Sequence, residues 1–296
     1  MVVFENEDED ERILLDCKTR SQHLTLKAAV TISLVPQAKG GPFLFWDGLE
    51  AGCQKAAALG FHGVEIFAPS AAAIDRKALR NLLSEHRLRV AAFGTGAGWV
   101  IHQWHLSHAN SEIRQQAREF IREIIDLAGE FEASAIIGSM QGRFENGVSR
   151  DQAVEWLREA LNDLGSHAER RQKPLLFEPL NRYETNLFNR LGDTAVFLQT
   201  LKTKNIKILA DLFHMNIEER SPSDALRAAG PLIGHVHFAD TNRQAIGFGH
   251  TAMRPVVQAL SEIGYAGYLS AEILPLPDPD AAASQTLTAY QELVQG

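Results

Sequence analysis

Eight times along the chain a short apolar run gives way to a longer amphipathic stretch, and this alternation constrains the fold more than any other feature. Runs that read as strands fall near 27–35, 62–67, 89–94, 134–138, 174–178, 206–211, 233–238 and 268–273. The stretches between and after them predict helices over 47–59, 75–86, 111–130, 150–171, 191–203, 223–229, 253–263 and 280–294. Ser149 precedes one helix start and Asn110-Ser111 another, as side-chain caps, while Gly60 and Gly264 stand where helices should stop. Strand–helix alternation implies a parallel sheet covered by helices. Eight such units match a (β/α)8 barrel, which typically takes about 250 residues. An open, doubly wound sheet would carry a Gly-rich phosphate turn after its first strand. Val35-Pro-Gln-Ala-Lys-Gly-Gly lacks that pattern, and Lys39-Gly40-Gly41 reads as a flexible loop.

Residues 26–296 are therefore expected to form a single barrel domain, and residues 1–25 an acidic N-terminal extension with Glu5, Glu7, Asp8, Glu9 and Asp10. That acidic start is the reverse of a signal peptide's basic one. No apolar run approaches the ~20 residues of a membrane span, so a cytoplasmic protein is expected. A net charge of −8 argues against a nucleic-acid partner or an anionic membrane surface. The two cysteines, Cys17 and Cys53, have no metal-ligand or redox spacing.

In a barrel of this kind functional groups sit at the C-terminal ends of the strands. Four consecutive strands end on a metal-ligating residue type: Glu178, Asp211, His237 and Glu272. They are separated by 33, 26 and 35 residues, close to one strand–helix unit of roughly 30 each. Three carboxylates converging on one rim repel one another and raise each other's pKa unless a counter-ion sits among them. One imidazole and three oxygen ligands suit octahedral Mn2+, Mg2+ or Co2+ better than a thiolate-rich zinc site. The alternative is separate ion pairs, Glu178 with Arg182 and Asp240 with Arg243. His235, two residues before His237 on the same strand face, reads as a core or supporting histidine.

Three long stretches go further: Phe177-Glu-Pro-Leu-Asn-Arg-Tyr-Glu-Thr, Leu209-Ala-Asp-Leu-Phe-His-Met-Asn-Ile-Glu-Glu and Gly234-His-Val-His-Phe-Ala-Asp-Thr-Asn-Arg. They resemble the D-tagatose 3-epimerase group of the xylose-isomerase-like TIM-barrel sugar isomerases and epimerases. Gly247-Phe-Gly-His fits as well. Ala92-Phe-Gly-Thr-Gly, Ile136-Ile-Gly-Ser-Met-Gln-Gly-Arg and Leu274-Pro-Leu-Pro are closer to the 5-keto-L-gluconate epimerase branch, which widens the implied substrates to keto-sugar acids.

The resemblance implies one divalent cation, Mn2+ foremost, on Glu178, Asp211, His237 and Glu272. It implies substrate contacts from Glu184, His214 and Arg243, and a homodimer or homotetramer. The expected reaction is 3-epimerisation of a small ketose or keto-sugar acid: Glu178 or Glu272 removes the C3 proton, and the other returns one to the opposite face of a cis-enediolate. Arg143, in the stretch after strand four, is a candidate clamp for a distal hydroxyl or carboxylate. Trp46, with Phe43, Phe45, Trp99 and Trp104, is a candidate wall. Arg182 is expected to support the site from behind. The alternatives are an aldose–ketose or hydroxypyruvate-type isomerase on the same barrel, and a non-catalytic sugar-binding barrel. A hydroxypyruvate-type isomerase, by resemblance, would show Gly-Glu where Gly249-His250 stand.

Overall fold

The structure, a computed structural model, describes residues 26–294. Eight strands close into a barrel in sequence order, every neighbouring pair parallel: β1 (Lys27–Ser33), β2 (Gly63–Phe67), β3 (Arg89–Gly94), β4 (Ser134–Ile137), β5 (Leu175–Phe177), β6 (Ile206–Asp211), β7 (Ile233–His237) and β8 (Tyr268–Ala271). β8 pairs with β1 from Lys27↔Tyr268 to Val30↔Ala271, and this closes the sheet. The acidic extension and Cys17 lie outside the described residues.

The covering helices are α1 (Gly48–Leu59), α2 (Arg76–His86), α3 (Ala97–His102), α4 (Ser111–Glu130), α5 (Arg150–Arg170), α6 (Leu191–Gln199), α7 (Leu212–Glu218), α8 (Pro222–Ala229), α9 (Met253–Glu262) and α10 (Pro279–Val294). Their starts follow the expected capping chemistry. The Ser149 hydroxyl accepts the Gln152 N–H, and the Asn110 carbonyl oxygen accepts that of Glu112. At the end of α1, Gly60 has φ 101°, a conformation that a Cβ would strain, so a glycine is what lets this helix stop there. Two short helices were not expected. α7 exists because the Asp211 carboxylate caps it, accepting from the N–H groups of Phe213 and His214. α3 has no side-chain cap and no long apolar period to announce it.

Strand side chains alternate between the helix layer and the barrel interior, and this parity decides where chemistry can occur. Phe177, Val236 and Ala271 face outward into the large core beneath the helices. Leu176, Leu209, Ile136 and Ala92 face inward and form a small separate cluster on one side of the barrel axis. Glu178 and Asp211 lie two residues beyond Leu176 and Leu209, so both project inward one layer higher. His237 follows His235, and Glu272 follows Ser270, by the same count. At the ends of β3 and β4 this upper layer is occupied by Gly94 and Gly138, where a Cβ would meet Phe67 at 2.9 Å and Glu178 at 2.4 Å, so neither position can carry a side chain without displacing its neighbour. Carboxylates and an imidazole on one side, and glycines on the other, make a cavity at the C-terminal mouth of the barrel.

Candidate metal and substrate site

Glu178, Asp211, His237 and Glu272 come together at this mouth, with one donor atom from each within 4.8 Å of the others. The His237 Nδ1 lies 3.3 Å from Asp211 Oδ2, 3.5 Å from Glu178 Oε1 and 3.5 Å from Glu272 Oε2. Three of the four are almost wholly buried. A buried group of this composition is costly unless charge compensates it. Within the protein, compensation comes from His237 and from Arg243, whose Nη2 donates to Glu272 Oε2 at 2.6 Å and lies 3.7 Å from Asp211.

The electrostatics are uneven. Burial raises the pKa of Asp211, but His214, His237 and Arg243 outweigh it and hold the carboxyl well below the usual range. Burial also raises Glu272, and there the neighbouring Glu178 and Asp211 charges add to it. They prevail over His237 and Arg243, so Glu272 is pushed up to about 7. Glu178 Oε1 and His214 Nε2 are buried and have no hydrogen-bond partner among the described residues. Orphaned buried polar atoms are rare unless something else binds them. The Glu178 oxygen, orphaned beside two further carboxylates and an imidazole, is what a divalent, oxygen-preferring cation would satisfy, so the residues fit such an ion, while the His214 nitrogen is left for another partner.

Each acid is aimed by backbone chemistry. The Glu178 N–H donates to the Ile137 carbonyl at 2.9 Å, and its own carbonyl accepts from Gln141 Nε2 at 2.9 Å. A Cβ at Gly138 would stand 2.4 Å from Glu178 Oε2, so only glycine leaves room for this carboxylate. Asp211 divides its oxygens: Oδ1 caps α7, while Oδ2 faces His237.

The expected substrate contacts surround the cluster. His214 is 1 % exposed and sits on α7. Asn181 Nδ2 donates to its Nδ1 at 2.8 Å, so its Nε2 carries the proton and points towards Asp211 and Glu178, 3.6 and 3.8 Å away. Glu184 accepts from Asn181 at 3.1 Å and lies 3.4 Å from Arg243. Glu178, Glu184, His214, His237, Arg243 and Glu272 all line one cavity of about 520 Å3. Arg143, Ser139, Gly142 and Lys39 line it too.

Several expectations need correction. Arg182 does not stand behind Glu178: its backbone N–H and its guanidinium both clasp Glu218, at 2.7 and 2.9 Å. The alternative pair of Asp240 with Arg243 does not form either, because the Asp240 carboxylate accepts the backbone N–H groups of Thr241, Gly247, Gly249 and Thr251. It thereby shapes the loop that presents Arg243. Trp46 is not among the lining residues, since its indole N–H donates to the Phe43 carbonyl at 2.8 Å and holds it outside. Phe43 and Trp99 form the wall instead, while Phe45 pairs with Ile32 and Trp104 stacks on His102. Lys39 and Gly41, in the segment after β1 that reads as a loop, line the cavity.

One residue escaped the sequence reading altogether. Glu65, inward-facing on β2 and 4 % exposed, accepts from His235 Nε2 at 2.8 Å through one oxygen and from His237 Nε2 at 3.1 Å through the other. Burial raises its pKa, but the two imidazoles outweigh this and hold it far below the usual range. A charge in the middle of the apolar strand Gly-Val-Glu-Ile-Phe was the available signal.

Comparison with known proteins agrees with this geometry. A family model described as "Xylose isomerase-like TIM barrel" matches residues 53–292. The chain is 31% identical over 166 residues to a D-psicose 3-epimerase of Agrobacterium fabrum, covering 55% of this chain and 57% of that enzyme. That alignment spans little more than half of the Agrobacterium protein. An L-ribulose 3-epimerase of Methylomonas sp. is 28% identical over 264 residues, 86% of this chain and 90% of the relative. Among solved structures, a 3-keto-D-glucoside 4-epimerase from E. coli superposes with a TM-score of 0.78 at 23% identity, over 90% of this chain and 99% of that one. The chain belongs to the xylose isomerase-like TIM-barrel family.

Proposed function

We propose that this family member is a metal-dependent 3-epimerase of ketoses or keto-sugar acids, with Glu178 and Glu272 as the acid/base pair. The observation that carries the reading is the approach of these two carboxylates from non-adjacent strands. β6 and β7 lie between β5 and β8, yet the four donor groups share one 4.8 Å cluster that borders the cavity. A molecule that only binds sugars has no need of a proton acceptor on each side.

Glu178, Asp211, His237 and Glu272 would hold one divalent cation, with Mn2+ preferred over Mg2+ and Co2+, and it would supply Lewis-acid polarisation of the substrate ketone. The remaining steps belong to the chain. One of the two glutamates removes the proton from C3, the carbon next to the ketone, and a cis-enediolate results. The other delivers a proton to the opposite face, which inverts the centre. His214, through its Nε2–H, and Arg243 donate hydrogen bonds to the carbonyl and hydroxyl end. Glu184 accepts from a substrate hydroxyl, and its own place is fixed by Asn181 and Arg243. Phe43 and Trp99 exclude water from the sugar's apolar face.

Arg143 and Lys39 among the lining residues favour a substrate whose far end is hydroxylated or anionic. Residues 1–25 are read as an extension to one barrel domain, and the working assembly as a homodimer or homotetramer. The barrel itself contains no helix among its described residues that is long and apolar enough to cross a membrane.

Incubating Mn2+-loaded protein with a ketose panel in D2O separates the readings. Deuterium gained at C3 with inversion supports the epimerase. Gain at C1 indicates an aldose–ketose or hydroxypyruvate-type isomerase, and no exchange with any ketose indicates a binder.

A further inference from the structure

We infer that Glu65 is a positioning residue for the metal site: it fixes the tautomer and the ring orientation of His237, with His235 as the second clamp on its carboxylate. The inference rests on the metal site proposed above, and it assigns a role to Glu65 and His235, which are not among the four candidate ligands.

Glu65 and the two histidines come from β2 and β7, with β8 and β1 between them, so the contact crosses the barrel interior. Each Glu65 oxygen takes one imidazole: Oε2 meets His235 Nε2 at 2.8 Å, and Oε1 meets His237 Nε2 at 3.1 Å. An ionised carboxylate only accepts, so both Nε2 atoms must carry the proton in these bonds. His237 is thereby left with Nδ1 as its one possible ligand atom, and Nδ1 is the atom 3.3–3.5 Å from Asp211, Glu178 and Glu272. The opposite tautomer would turn an N–H towards the ligand cluster and a bare lone pair towards the Glu65 anion. The two rings are held at 85° to each other, which lets one carboxylate serve both. A metal-bound imidazole commonly donates its other N–H to a carboxylate in this manner, and loss of that partner typically weakens metal affinity 10- to 100-fold.

A purely structural Glu65 would stabilise the barrel without tuning the metal. Titrating metal-free protein with Mn2+, and following free Mn2+ by electron paramagnetic resonance, tells the two apart. Glu65→Gln is expected to weaken binding 10- to 100-fold while its circular dichroism matches wild type. Folded Glu65→Gln that binds Mn2+ within twofold of wild type overturns this inference alone. A wild-type chain that binds no Mn2+ overturns the metal site and this inference with it. If Glu65→Gln does not fold, the ring nitrogens of wild-type His237 in the Zn2+-loaded protein, observed by 15N NMR, decide. A proton on Nε2 supports the role, and a proton on Nδ1 contradicts it.

Discussion

The Arg243 guanidinium lies 2.6 Å from Glu272, the carboxylate that burial and its acidic neighbours push up to about 7. A cation stabilises the ionised form, so Arg243 lowers the pKa of Glu272 from where it would otherwise stand. Arg243→Ala should move the carboxylate limb of the kcat/KM–pH profile to higher pH. It should also lower kcat/KM about 10²-fold, the scale of one lost donor at a developing oxyanion. Arg243→Lys keeps the charge and should shift that limb less. Initial rates from pH 5 to 9 test both variants, and an unmoved limb in Arg243→Ala would count against the pairing.

Gly138 carries a prediction that concerns space alone. A methyl group there would stand 2.4 Å from Glu178 Oε2, so Gly138→Ala must displace that carboxylate. The expected result is a folded protein with turnover reduced about 10²-fold, as misplacement of a catalytic group by about 1 Å can cause. Circular dichroism and steady-state rates on one preparation check it.

Removal of the metal should cost stability as well as activity. A ligand held at 100 times its Kd stabilises the folded state by about 2.7 kcal/mol. Dialysis against a chelator should therefore abolish epimerisation and lower Tm by several degrees, and added Mn2+ should restore both. A chelated protein with unchanged Tm and full turnover would remove the metal from the account.

Arg143 lines the cavity, and among the described residues its side-chain ion contact is loose, 3.7 Å from Glu145. Arg143→Ala should raise KM for a keto-sugar acid by about 10-fold or more, the worth of one charge-assisted hydrogen bond, and change KM for a neutral ketose much less. Equal effects on both would show that no substrate carboxylate meets this side chain.

The barrel and its ligand rim were legible because their signals are periodic. Strand parity and the spacing of Glu178, Asp211, His237 and Glu272 need nothing beyond the order of residues. The partner of Arg182, and that of Asp240 in the alternative of separate ion pairs, were misread for one physical reason. Each had a polar group close in sequence, yet each bonded to something the fold supplied: Glu218 on α7 and four loop N–H groups. Local proximity says little about a side chain that can reach several acceptors. Glu65 was missed for the opposite reason. Its partners lie 170 and 172 residues away, across a barrel interior that no local pattern reveals.

The most direct test of the two-carboxylate reaction is the exchange pattern of single variants in D2O. Glu178→Gln and Glu272→Gln, each loaded with Mn2+, are given both C3 epimers of one ketose. Loss of a general base typically costs 10²- to 10⁴-fold, so inversion should nearly stop in both. Each variant should still wash deuterium into C3 of one epimer without inversion, and the two variants should act on opposite epimers. Inversion at near wild-type rate in either variant would contradict the account.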